Sequence, residues 1–170
     1  IKNRIIANKV EILQTLQTLI NQGKIGYIGL SDDSAWGIKQ YSELAEKYNL
    51  PKIISIQNEY NLLRRRDEAD VAETCSLEEV GNLSWAPLAM GVLSGKYLDN
   101  KIPDGSRFSK EVMADGWERY KNRIALNTHK ATKEYIDISK KYDLDPCQMA
   151  IAFTLTKKWI KSAIIGATNI

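Results

Sequence analysis

The sequence predicts an α/β protein whose strands run parallel, and two observations carry that expectation. Short apolar runs of strand length alternate with longer stretches of helical periodicity. The helical stretches stop where Gly23, Pro51 and Gly81 stand. Alternating units of this size imply parallel strands joined by right-handed crossovers.

The elements follow in order. From Lys9 to Gln22, Val10, Leu13, Leu16, Leu19 and Ile20 recur near the helical period, and Gly23 closes the helix. Ile25 to Leu30 is a short apolar run with two glycines, ended by Ser31-Asp32-Asp33-Ser34, whose oxygens suit the exposed amides of a following helix. That helix is expected over Ala35 to Tyr48, with Ile38, Tyr41, Leu44, Ala45 and Tyr48 on one side, and Pro51 bars its continuation. Ile53 to Gln57 is the next strand. Asp67 to Val80 has helix composition and stops at Gly81, after which Leu83 to Ala86 reads as a strand broken by Pro87.

Leu88 to Phe108 is rich in Gly, Pro, Asn and Asp, which marks a long connection of the kind that often carries function. Two helices follow, from about Thr128 to Tyr142 and, capped by Asp145 with Pro146 first, to about Lys157. Ala163 to Ile165 is the fourth strand. A doubly wound sheet and a (β/α)8 barrel both fit this alternation. Periodicity does not separate them.

Composition narrows the class. With 44% hydrophobic and 26% charged residues in 170, the chain reads as one globular domain, residues 1–170, with no second domain. No window holds the run of about 18 apolar residues that a membrane span needs, and the polar residues within Ile1 to Val10 argue against a signal peptide. Cys75 and Cys147 are far apart, with no CxxC pair and no histidine at metal spacing. A disulfide framework or a metal site therefore has no support, and a reducing, cytoplasmic setting fits. The densest basic run, Arg64 to Arg66, is followed at once by Asp67, Glu68 and Asp70, which reads as a solvated loop rather than a nucleic-acid patch. His129, the sole histidine, takes no role.

In either architecture the functional loops lie beyond the carboxyl ends of the strands. Those ends are Ser31-Asp32, Gln57-Asn58, Trp85 to Leu88, and Gly166-Ala167-Thr168. They offer amides, hydroxyls, an aromatic ring and a glycine-containing loop, without an evident nucleophile, base or metal cluster. Such a set describes a binding site more than a reaction centre.

Four segments, GKIGYIGLSDDSAW, IISIQNEYNLL, SWAPLAMGVLSGKY and IIGATN, in that order, resemble the last four strand-loop units of the aldo-keto reductases. The resemblance covers nearly the whole chain and is greatest to the branch that includes the Tas protein and the potassium-channel β subunits, where the loop after the seventh strand has a similar L-x-GK-Y pattern. It implies the second half of a (β/α)8 TIM barrel, strands 5 to 8 with their helices, truncated at both ends. It also implies an NADPH-dependent oxidoreductase acting on a small aldehyde or ketone.

Carried over position by position, the resemblance implies that Ser31, Asp32 and Gln57 hydrogen-bond the nicotinamide carboxamide. The family usually has Asn where Asp32 stands, and a carboxylate only accepts, so the donor there falls to Ser31 or Gln57. Trp85 falls where the family sets a ring against the nicotinamide, a core tryptophan being the alternative. Leu88, Gly91, Leu93, Ser94, Gly95 and Lys96 match the loop over the pyrophosphate, where glycine lets amides approach oxygens and lysine neutralises charge. An ordinary surface loop is the alternative there.

Arg107 resembles a family arginine that reaches the cofactor phosphates. Gly166, Ala167 and Thr168 match the start of the adenosine 2′-phosphate site. The family's catalytic Asp, Tyr, Lys and His are expected upstream of Ile1, so no catalytic residue is assigned here. A nucleotide-sensing or protein-interaction module without turnover is the competing reading, and the oligomeric state is left open.

Overall fold

The computed structural model describes residues 2–109 and 124–167. The described elements are α1 (Lys2–Asn21), β1 (Ile28–Ser31), α2 (Ala35–Tyr48), β2 (Ile53–Gln57), α3 (Val71–Leu77), β3 (Gly81–Trp85), α4 (Leu126–Lys141), α5 (Pro146–Leu155) and β4 (Ile160–Ile164). The strands form a four-stranded sheet in the order β1-β2-β3-β4, with β1 and β4 outermost. β1 pairs parallel with β2, and β2 parallel with β3. No described helix is long and apolar enough to cross a membrane.

Where the boundaries follow local signals, they fall where the sequence puts them. Ser34 caps α2 by accepting from the Gly37 amide, and Asn49 at φ 51 ends it. Asp145 caps α5 through the Gln148 amide, with Pro146 as first residue.

Five elements differ from expectation. α1 begins at Lys2 rather than Lys9, so the helix runs through a segment the apolar period does not mark. β1 starts at Ile28 rather than Ile25, because the chain first closes α1 with bonds from Gly23 to Ile20 and from Lys24 to Leu19. The expected Asp67–Val80 helix is only Val71–Leu77, preceded by a single tight turn over Arg66–Glu68. The Asp70 carboxylate restarts the chain by capping Val71 at 2.7 Å. Gly81, read as a helix stop, is instead the first residue of β3, where a Cβ would meet the Lys161 side chain at 2.8 Å. β4 is Ile160–Ile164 rather than Ala163–Ile165, because exposed Lys161 and Ser162 break the apolar run and hide the start of the strand from the sequence.

A bulge sets the facing of β2. Ile28 lies opposite Ile53, but Gly29 lies opposite Ser55, so Ile54 has no partner across the ladder. Ile53 and Ile56, three apart, therefore both turn to the helices, while exposed Gln57 shares the other face with Ser55.

The chain divides into two compact units. The first comprises described residues within Ile1–Asn58, Arg66–Leu83 and Trp159–Ser162, and the second those within Glu59–Arg65, Ser84–Lys158 and Ala163–Ile170. In the first, Leu13 of α1, Ile38 and Leu44 of α2, Ile53 and Ile56 of β2, and Val71 and Cys75 of α3 make the core. In the second, Val92, Leu93, Tyr97 and Phe108 of the connection after β3 pack with Ala150 of α5. That connection is thus a folded element with its own core, and the Tyr97 and Phe108 rings meet edge to face at 5.0 Å.

Candidate functional site

In the first unit the candidate groups stand at the ends of β1 and β2. Ser31 lies opposite Gln57 in the ladder, and both are exposed. The Asp32 amide donates to the Gln57 carbonyl at 3.0 Å, although Asp32 itself has a φ of 48. A non-glycine residue in this left-handed region is held there by its surroundings. Asn58, the residue after Gln57, supplies the holding contacts: its Nδ2 donates to the Asp33 carbonyl at 3.0 Å and to the buried Asp67 carboxylate at 2.8 Å. The structure therefore brings Ser31, Asp32 and Gln57 together as one small polar surface.

In the second unit the loop after β3 folds on itself. Leu88 O accepts from the amides of Gly91 and Leu93, at 2.9 and 3.2 Å. Ser94 Oγ donates to the Gly91 carbonyl at 2.7 Å and accepts from the Lys96 amide at 3.4 Å. Gly91 has a φ of +92, and a Cβ on it would lie 2.9 Å from Lys96 Cε and 3.1 Å from Nζ. The lysine chain thus lies across the glycine, and no other residue leaves it that seat.

Leu93 is buried as the loop's anchor, whereas Lys96 is exposed. Gly95, with φ +81, packs against Ile136, whose Cδ1 stands 2.5 Å from where a Cβ would sit. Ala89 and Met90, with φ of 49 and 60, add two strained residues to the same turn. Leu88, Gly91, Leu93, Ser94, Gly95 and Lys96 are therefore one structural piece.

Trp85, half-buried, ends β3 in this second unit. Its carbonyl accepts from the Tyr60 amide at 3.4 Å, and the next carbonyl, Ala86 O, accepts from Asn61 Nδ2 at 2.9 Å. Ser84 Oγ donates to Tyr60 O at 2.8 Å. Arg107 is exposed between buried Ser106 and Phe108, so its neighbours anchor the turn and leave its guanidinium outside. Gly166 and Ala167 are exposed, and Thr168 lies outside the described residues.

Sequence reasoning missed the supporting residues. Asn58 and Asn61 are buried and tie strand ends in place, yet nothing in their local sequence separates them from ordinary loop asparagines. Among the described residues, no group of three or more His, Cys, Asp or Glu is placed to hold a metal ion.

Comparison with known proteins adds a family. The model of the aldo/keto reductase family matches residues 6–170. The chain is 39% identical over 166 residues to Protein tas of Escherichia coli (strain K12), covering 96% of this chain and 46% of that protein. It is 35% identical over 179 residues to an aldo-keto reductase of Babesia bovis, covering 99% and 60%. It is 32% identical over 162 residues to a putative voltage-gated potassium channel subunit beta of Schizosaccharomyces pombe, covering 94% and 46%. The chain thus spans about half the length of most of these relatives.

Proposed function

This chain belongs to the aldo/keto reductase family, and on that premise we propose that it is the cofactor-binding half of an NADP(H)-dependent oxidoreductase of the cytoplasm, acting on a small aldehyde or ketone. The architecture proposed with it is the second half of a (β/α)8 barrel, within one partial domain. The four-stranded parallel order β1-β2-β3-β4, with β1 and β4 outermost, supports this reading.

The observation that carries the function is the seat of Lys96 across Gly91, braced by Ser94. A cation beside a strained, glycine-dependent turn suits an anionic ligand, and the pyrophosphate of a dinucleotide is the anion the family uses. The donor set fits the rest of that ligand. Gln57 amide and Ser31 hydroxyl groups match a neutral carboxamide, which both donates and accepts, better than they match a metal ion. Bound nicotinamide would supply the hydride that reduces the carbonyl carbon.

Within the chain, Ser31 and Gln57 would orient the carboxamide, Asp32 accepting where it contributes. Trp85 would stack on the ring, and Leu88, Gly91, Leu93, Gly95, Lys96 and Arg107 would hold the phosphates. Gly166 and Thr168 would begin the 2′-phosphate site. None of these residues donates a proton to a carbonyl oxygen. They bind the cofactor alike before and during reaction, and uniform binding does not lower a barrier.

The test is a pair of measurements on the purified chain. NADPH fluorescence titration should show weak binding that Lys96→Met weakens further by roughly tenfold, the loss of one charge-assisted contact. NADPH oxidation with a simple aromatic aldehyde should stay at background. Steady turnover that survives repurification and disappears in Trp85→Ala would refute the assignment. The 32% identity to a putative potassium channel subunit beta favours a second reading, a nucleotide-sensing module that engages a protein. Turnover by a longer chain carrying the upstream residues would exclude that module.

A further inference from the structure

Ala86, between Trp85 and the loop that starts at Leu88, is held in a conformation that its side chain disfavours. Its φ of 52 lies in the left-handed region that suits glycine, and Pro87 pushes the residue before it toward extended backbone. Two donors converge on the Ala86 carbonyl, the Ala89 amide at 2.8 Å and Asn61 Nδ2 at 2.9 Å. Turning Ala86 to extended backbone would carry that oxygen away from both.

The Ala89 bond is local to the loop, whereas Asn61 reaches Ala86 from a turn after β2, 25 residues earlier. That turn is itself fixed. Asn61 and Arg64 exchange backbone bonds at 3.2 and 3.0 Å, Tyr135 Oη of α4 donates to the Leu62 carbonyl at 3.2 Å, and the Tyr60 ring stacks on Phe153 of α5 at 5.8 Å. Asn61 is fully buried, and its Oδ1 accepts from the Leu63 amide at 2.9 Å. Its side-chain amide therefore has one orientation, since exchanging oxygen and nitrogen would set donor against donor and acceptor against acceptor.

We propose that Asn61 is a positioning residue that holds Ala86 in left-handed backbone and so sets the Trp85 ring and the departure of the Leu88–Lys96 loop. The effect on cofactor binding rests on the function proposed above, whereas the tie to Ala86 does not. The neighbouring bonds show why a side chain is needed. Ser84 and Trp85 are held by the Tyr60 backbone, its carbonyl accepting from Ser84 Oγ at 2.8 Å and its amide donating to Trp85 O at 3.4 Å. The backbone of Asn61 is occupied by Arg64, so Ala86 is reached by the Asn61 side chain instead. Strain of this kind persists only where the surroundings impose it, and here it falls between two groups assigned to the cofactor.

Fluorine NMR of the chain labelled with 5-fluorotryptophan tests this, Trp85→Phe identifying the Trp85 line among the four tryptophans. In Asn61→Ala the Trp85 line should shift or split, because loss of one hydrogen bond lets roughly tenfold more of the chain leave the left-handed form. The lines of Trp36 and Trp159 should stay in place. Ala86→Gly added to Asn61→Ala should return the Trp85 line to that of Ala86→Gly alone, since glycine takes this backbone without a holding contact. If Asn61→Ala does not fold, Asn61→Asp carries the same test: its carboxylate still accepts from the Leu63 amide but donates nothing to Ala86.

An unmoved Trp85 line in Asn61→Ala would overturn the positioning role. A shift that Ala86→Gly leaves uncorrected would overturn it too, because the damage would then lie in the turn after β2. NADPH titration of the same samples separates the two ideas. Binding weakened roughly tenfold by Asn61→Ala and recovered to within about threefold by the added glycine supports both. A parent chain that binds no NADPH, with the Trp85 shift and its rescue intact, would sink the cofactor reading and leave the positioning role standing.

Discussion

Replacing Gly91 by alanine tests the loop after β3 at its tightest point. Gly91 has a φ of +92, and the added Cβ would lie 2.9 Å from Lys96 Cε, 3.1 Å from Nζ and 3.6 Å from the Tyr97 ring. The left-handed backbone alone costs an L-residue about 1–2 kcal/mol. The steric part is cheaper, since the far end of a lysine moves aside. Two separable effects follow: a stability loss of about 1–2 kcal/mol, and a Lys96 displaced from the loop.

Urea unfolding reads the first effect. With a slope of roughly 2 kcal/mol/M, the midpoint should fall by about 0.5–1 M with the slope unchanged. NADPH titration reads the second, and Gly91→Ala should weaken binding about as much as Lys96→Met, the double variant adding little. Met90, already at a φ of 60 without being glycine, is the control. In Met90→Gly, relief of strain and the extra freedom of the unfolded chain nearly cancel, so the midpoint should hardly move. A Gly91→Ala midpoint within about 0.2 M of the parent would refute the reasoning, because the backbone strain would then not be real.

Three further outcomes are expected. Ser34→Ala should lose about 1 kcal/mol in urea unfolding, since Ser34 Oγ is the acceptor for the Gly37 amide at the start of α2. Burial, with the Asp67 charge adding, pushes the Cys75 thiol up to about 11 from 9.0. The unfolded chain then releases this proton first, so stability is full below about pH 9 and is lost as pH rises toward 11. Cys75→Ala should flatten that fall by on the order of 2 kcal/mol in urea midpoints taken at about pH 8 and 10.5. Asn82 is fully buried, and neither Nδ2 nor Oδ1 of its side chain has a partner among the described residues. Asn82→Leu should raise stability by about 1–2 kcal/mol, and a loss of that size would show that the amide is satisfied after all.

What the sequence shows of the fold is what local chemistry decides. Ala35–Tyr48 and Ile53–Gln57 fall at the predicted limits because Ser34, Asn49 and Pro51 act on their immediate neighbours. Val71–Leu77 is shorter than its composition suggests because Asp70 caps its start and Asp67 bonds Asn58, nine residues away. At the candidate site, composition marks only a long glycine-containing connection after β3, and its individual glycines and lysine are singled out by the family resemblance. The asparagines behind it leave no mark. Asn61 fixes Ala86, 25 residues on, so its partner appears within no short window of sequence.

The bulge in β2 also bears on how this strand tolerates changes of length. Omit Ile54, and Ile53-Ser55-Ile56-Gln57 alternates inward and outward without interruption, matching Ile28 to Ser31 position for position. Ile54 is therefore a one-residue insertion into an otherwise regular ladder, 46% exposed and unpaired. A single-residue deletion at Ile54 or Ser55 would leave every remaining side chain of the strand on its own face, whereas one at Ile56 would turn Ser55 inward. Homologous chains can then differ in length by one residue at Ile54 and still present a glutamine at the end of the strand.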